Sequence, residues 1–190
     1  MKVKNILLAT VVAASTLAGQ AYADGEWYVG LDATNLSYEL DVAPTETYDL
    51  NPLRFKTGYT SASGFGIELQ AFGSADDETQ SLGSAYKTEL GTSLGLFGTL
   101  SSNTESDFGF YGSFGFASID TENVTVLSGN VDSDKVLVTG FGFGTYYKIQ
   151  DNFKVTLDYT RLTGQASYAS FSRDIDVELS GFGLGLSYIF

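Results

Sequence analysis

The sequence has no cysteine and no histidine. The first absence rules out a disulfide framework. The second removes any Ser-His catalytic triad, any histidine-ligated metal and the commonest general base near neutral pH. Basic residues are scarce, with 10 Lys and Arg against 23 Asp and Glu for a net charge of −13. Such a chain is a poor partner for the phosphate backbone of nucleic acid. It also has no uninterrupted apolar run of the roughly 20 residues that a membrane-crossing helix needs. If the protein sits in a membrane, it does not cross as a helix.

The first residues place Lys2 and Lys4 before an uncharged, mostly apolar run from Ile6 to Gly19, followed by Ala21-Tyr22-Ala23. Basic, apolar and small-residue segments in that order predict a Sec-type signal peptide over residues 1–23, cleaved after Ala23. The run is too short to serve as an anchor. Residues 24–190 then form one exported domain, more acidic than the whole chain because both lysines leave with the signal.

Beyond Ala23 the apolar residues recur every second position. Phe65, Ile67, Leu69 and Ala71 alternate with Gly66, Glu68 and Gln70, and Phe153, Val155, Leu157 and Tyr159 alternate with Lys154, Thr156 and Asp158. A period of two is that of strands with one apolar face. Eight such segments are expected near 26–38, 52–60, 65–73, 85–99, 107–119, 135–149, 153–163 and 175–190. Their connections alternate between short ones (60–64, 100–107, 150–152) and long ones (39–51, 74–84, 120–134, 164–174). Short turns at one rim and long loops at the other are the asymmetry of an outer-membrane barrel. A soluble lipocalin-like barrel shares the period but turns its apolar face inward.

Three features separate these alternatives. Trp27, Tyr59, Phe65, Phe108, Phe110, Tyr147, Phe153, Tyr188 and Phe190 lie at strand ends beside the short turns or the termini, as an aromatic girdle at a membrane interface does. The non-apolar faces carry Asp32, Glu68, Glu89 and Asp158 together with Arg54, Lys56, Lys87 and Lys154, four acids against four bases in an otherwise acidic chain. A confined lumen has reason to balance its charges, because an unpaired buried charge is costly. Finally, a hairpin centred on Ala62 would set Lys56 opposite Glu68 and Arg54 opposite Gln70, within reach for cross-strand interaction.

The last segment ends "LGLSYIF", with Phe182, Leu184, Leu186, Tyr188 and Phe190 on one face, and the first opens Gly25-Glu26-Trp27-Tyr28-Val29-Gly30. In these two ends, and in its whole pattern, the chain resembles the small outer-membrane β-barrels of Gram-negative bacteria, the OmpA/OmpX-like "porin family" domain. The resemblance implies an all-β fold, an eight-stranded antiparallel up-and-down transmembrane barrel in the cell outer membrane. It also implies that Tyr188 and Phe190 form the signal read by the barrel-assembly machinery, with outer-membrane lipid and lipopolysaccharide as further partners. Catalytic outer-membrane barrels, such as lipid A acylases and deacylases and omptin-type proteases, depend on histidine in their families.

Two apparent motifs dissolve on inspection. Ser84-Ala-Tyr-Lys87 fits S-x-x-K, but its companion elements are absent and it falls at the start of a strand rather than on a helix. Gly140 to Gly144, "GFGFG", is a strand with one bare face rather than a nucleotide-binding turn. Small residues at Gly91, Ser93, Gly95, Gly109, Ser113, Gly115, Gly140, Gly142 and Gly144 would leave room for Arg54, Lys56 and Lys154 to reach across the lumen toward Asp32, Glu68 and Asp158. An eight-stranded barrel has an interior just wide enough for side chains to fill, which favours a plugged lumen over a narrow pore.

The long loops hold the surplus acid: Glu39, Asp41, Glu46 and Asp49, then Asp76, Asp77 and Glu78, then Asp120, Glu122, Asp132 and Asp134. They form a solvated acidic surface or collect divalent cations, and none has the spacing of a calcium loop. We expect a monomeric structural or cell-surface interaction protein with no catalytic site, cofactor or metal centre. A narrow channel for small solutes is the alternative, and a soluble periplasmic ligand-binding barrel is a weaker one. The sequence does not name the extracellular partner.

Overall fold

Alternating Val, Leu, Ile, Phe, Tyr and Thr fit a pleated surface, and the segments that carry them are strands. A computed structural model of the chain describes residues 25–40, 46–73, 86–90, 93–102, 106–125, 130–166 and 175–190. The expected signal peptide, Asp41, Asp76, Asp77, Glu78 and Gly91 lie outside the described residues. The strands are β1 (Gly25–Leu40), β2 (Glu46–Leu50), β3 (Leu53–Ser61), β4 (Phe65–Gly73), β5 (Tyr86–Leu90), β6 (Ser93–Ser101), β7 (Phe108–Thr125), β8 (Asn130–Gln150), β9 (Phe153–Ala166) and β10 (Ile175–Ile189).

These ten strands make eight staves. β2 and β3 pair with β1 in one continuous register, interrupted only at Asn51 and Pro52. Pro52 has no N–H to donate, but its carbonyl accepts from Thr34 N at 3.2 Å and Thr34 Oγ1 at 2.6 Å. β5 and β6 both pair with β7, in registers that differ by one residue. All neighbours are antiparallel, and β10 pairs with β1, so the sheet closes on itself. Closure removes the sheet edges that hydrocarbon cannot satisfy.

Following the pairing once around the barrel from Val29, through Thr57, Leu69, Leu96, Phe116, Thr139, Thr163 and Glu178, returns to β1 at Glu39. That stagger demands strongly tilted strands, about 35–45° from the barrel axis for barrels of this kind.

The apolar series faces out. Leu31, Ile67, Leu69, Phe114, Phe141, Phe143, Leu157, Phe182 and Leu184 are exposed on the barrel wall, while Asp32, Arg54, Lys56, Glu68 and Asp158 are buried within it. This is the reverse of a soluble ligand-binding barrel, and that alternative falls. At the short-turn rim Trp27 packs on Tyr59 at 5.1 Å between ring centroids, Phe108 on Phe110 at 5.2 Å, Phe153 on Tyr188 at 5.3 Å and Tyr188 on Phe190 at 5.1 Å. Phe190 N donates to Trp27 O at 2.9 Å, so the final residue closes the barrel against the first strand.

Two expectations are corrected. The β3–β4 hairpin is not centred on Ala62: Lys56 pairs with Gln70 and Gly58 with Glu68. Gly64 adopts φ 88° and its N–H donates to Ser61 O at 2.9 Å. A turn closed by a left-handed residue makes a three-residue loop, which moves the centre to Ser63. Residues 120–125 and 130–134, expected within a long loop, instead extend the β7–β8 ladder as far as Thr125 opposite Asn130.

Candidate functional site in the barrel lumen

β1, β3 and β9 project their non-apolar faces inward, and the site forms where they converge. Arg54 is its centre. Its Nε donates to Asp32 Oδ2 at 2.7 Å, its Nη2 to Asp158 Oδ1 and Oδ2 at 2.7 and 2.6 Å, and its Nη1 to Thr160 Oγ1 at 3.1 Å. Nη2 also contacts Asp32 Oδ2. A guanidinium fork suits such multiple carboxylate contacts better than an ammonium would. Lys56 Nζ reaches Asp32 Oδ2 at 3.0 Å, Thr156 Oγ1 at 2.9 Å and Asp158 Oδ2 at 4.0 Å, and Tyr111 OH donates to Asp158 Oδ2 at 2.6 Å.

Two bases and two acids therefore neutralise one another in a region where Asp32 is fully buried. The stem of Lys56 lies over Gly30, and the guanidinium and both carboxylates lie over Gly183 and Gly185, where any added Cβ would meet Arg54, Asp158 or Asp32. The bare surface that makes room for this cluster is thus on β1 and β10. β8 adds Gly144, where an added Cβ would meet Asp158, while Gly95 of β6 and Gly115 of β7 lie against the Phe97 ring and Gly109 of β7 against Tyr146.

Toward the short-turn mouth the contacts change. Glu68 is held by Tyr28 OH at 2.6 Å and Gln70 Nε2 at 2.7 Å, not by Lys56. The register set by Gly64 explains this, because it carries Glu68 past Lys56. Lys154 Nζ lies 4.3 Å from the centroid of the Tyr28 ring and 5.6 Å from that of Tyr146, cation–π contacts that partly replace hydration. At the mouth itself Lys148 Nζ pairs with Glu26 Oε1 at 2.5 Å.

Six of the eight expected lumen charges, Asp32, Arg54, Lys56, Glu68, Lys154 and Asp158, are brought inside. The backbones of Lys87 and Glu89 pair with Val124 and Glu122 at the far end of β7, and their side chains lie outside the described residues.

Toward the long connections the interior is apolar, which the sequence reading missed. Leu36, Tyr38, Phe72, Phe97, Ala117, Ile119, Val136, Val138, Leu162, Val177 and Leu179 form one buried cluster, with Leu50 packed against it. Ala117 and Val138 are 0 % exposed. The signal was present where apolar residues occupy both faces, as in Val136-Leu137-Val138.

Comparison with known proteins agrees with this architecture. Residues 6–190 match the outer membrane protein beta-barrel domain. Among solved structures, Neisserial surface protein A shares 15% identity at a TM-score of 0.67, covering 86% of this chain and 97% of that one. Ail, the attachment invasion locus protein of Yersinia pestis, shares 14% at a TM-score of 0.60, covering 88% and 99%. The N-terminal barrel domain of OprF from Pseudomonas aeruginosa shares 14% at 0.54, covering 87% and 99%. No curated protein matches the sequence.

Proposed function

The chain belongs to the outer membrane protein beta-barrel domain family, and from that premise we propose that it is a non-conducting barrel with a structural or cell-surface interaction role. The observation that carries this reading is the filled lumen. An ion passing through would have to disrupt the Arg54 cluster and then cross the apolar cluster around Phe97 and Val138. An apolar constriction is itself a barrier, because it gates by excluding water.

The surface role is supported by the β7–β8 ladder, which continues to Thr125 and Asn130, beyond the exposed Phe116 and Leu137 of the apolar wall. That extension is acidic in sequence, with Asp120, Glu122, Asp132 and Asp134. Ail, with the same fold, is an attachment invasion locus protein, which makes surface interaction a use this architecture supports. The lack of histidine favours a non-catalytic role. In this reading the apolar wall meets lipid and lipopolysaccharide, and Tyr188 and Phe190 are the residues offered to the assembly machinery. The barrel acts as a monomer.

The test is conductance of the purified, folded protein in planar bilayers. Stable unitary currents from the wild-type chain would replace this reading with that of a narrow channel. Silence in the wild type is the expected result.

A further inference from the structure

We propose that the lumen is a one-sided half-channel: a hydrated vestibule entered from the short-turn mouth and ending blindly at the Arg54 cluster. The inference rests on the filled-lumen reading and adds which half is wet. A cavity of about 20 Å³ lies between that mouth and the cluster, lined among others by Glu68, Thr99, Tyr146, Lys154 and Thr156. Its wall includes Thr60 and Ser101, next to the turns that follow β3 and β6, and Lys154 stands two residues beyond the turn at Asp151 and Asn152.

Three observations concern its contents. Thr99 is only 8% exposed, yet its Oγ1 has no hydrogen-bond partner, and Gln70 Oε1 and Ser187 Oγ in the same lumen are likewise unpartnered. Buried polar groups in native proteins find a protein or water partner. Lys154 Nζ faces two rings but, among the described residues, has no carboxylate within ion-pair distance, although Glu68 shares the cavity wall. The space is also sufficient: a water needs about 10–15 Å³ of such volume and two to four polar partners. The cavity therefore suits water, or a solute of its size and polarity, bridging Lys154, Glu68 and the threonine hydroxyls. Beyond Arg54 the lining turns apolar and close-packed, and such interiors stay dry.

The experiment is water-to-protein magnetisation transfer by NMR on the full barrel in lipid bilayers. Methyl signals of Thr60, Thr99 and Thr156 should build up several-fold faster than those of Ala117, Val138 and Leu162. Thr99→Val keeps the shape and removes one polar partner, so transfer to the Thr156 methyl should fall, with folding checked by heat-modifiable gel mobility. Slow transfer to both groups in the wild type would overturn the vestibule and leave the filled-lumen reading standing. Fast transfer to both would reveal a continuous water column and overturn both readings. An unchanged Thr156 signal in Thr99→Val would remove the proposed water site.

Discussion

From the short-turn mouth up to Asp32 and Asp158, the inside of this barrel is built from charges, tyrosines and threonines; above them, toward the long connections, it is built from Leu, Val, Ile and Phe. The wall is the same closed sheet throughout, so strand geometry does not dictate the difference. In the polar region every buried charge must find its counter-charge or a ring, which fixes side-chain positions at little net gain in stability. In the apolar region close packing contributes the burial energy and needs no partners. The boundary follows from this division: a neutralised cluster can lie directly under a dry core, whereas an unpaired charge there could not.

The sharpest way to break the comparison is to strand a charge at that boundary. Arg54→Ala leaves Asp32 and Asp158 facing each other with only Lys56 between them, and removing one partner of a buried ion pair costs about 3–5 kcal/mol. We expect the urea midpoint of the folded barrel to drop accordingly. Much of the loss should return in the triple variant Asp32→Asn, Arg54→Met, Asp158→Asn, which removes the charges together. A triple variant as unstable as Arg54→Ala would mean that the arginine acts by packing rather than charge.

The apolar half should respond to volume alone. Leu162→Ala should cost about 2–5 kcal/mol through lost burial and a residual cavity. Leu162→Met, which nearly conserves volume, should cost less than about 1.5 kcal/mol. If Met were as damaging as Ala, the upper lumen would not be the close-packed core that its burial indicates.

How much of this was readable in the sequence differs between the two halves. Where the inward positions are polar, as at Lys154, Thr156 and Asp158 against Val155 and Leu157, alternation reported the strand, and the balanced charges and the aromatic girdle reported its orientation. Where both faces are apolar, as at Leu96 and Phe97 or Val136 to Val138, the alternation vanishes, and the upper core with it. Register was harder still. A single left-handed glycine at Gly64 moved Glu68 away from Lys56, and a one-residue shift separates the registers of β5 and β6 on β7. Neither displacement alters composition or periodicity, so neither leaves a mark in the pattern. The closure of the last strand on the first was legible, because an open edge in lipid is too costly to leave.

Orientation itself can be tested on the outer wall. Leu157 is exposed between inward Thr156 and Asp158, and Leu157→Arg should destabilise the barrel by about 2–4 kcal/mol if it sits near the midplane of the bilayer. The matching inward change, Thr156→Arg, should fail for a different reason, overfilling the space beside Lys56. Salt separates the two in the folding assay: screening relieves repulsion beside Lys56 only if the vestibule is wet, and leaves the lipid-facing arginine as costly as before.

The smallest expected effect comes from the same chemistry placed outside. Arg161 Nη2 donates to Glu178 Oε2 at 2.8 Å, a distance close to those Arg54 makes with Asp158, but both side chains are on the outer surface and the arginine is 46 % exposed. Glu39 lies directly opposite Glu178 in the β1–β10 register, so the arginine also offsets two like charges across one rung. Water screens this pair, and exposed ion pairs contribute little once the entropy of holding two long side chains is counted. Arg161→Gln should therefore lower the urea midpoint slightly at low salt and not at all at high salt, where the Debye length falls to about 3 Å near 1 M. The loss in Arg54→Ala should persist at both. A salt-insensitive loss in Arg161→Gln would place that pair in a dry environment, and would raise the upper limit of the apolar band above Tyr159 and Phe182.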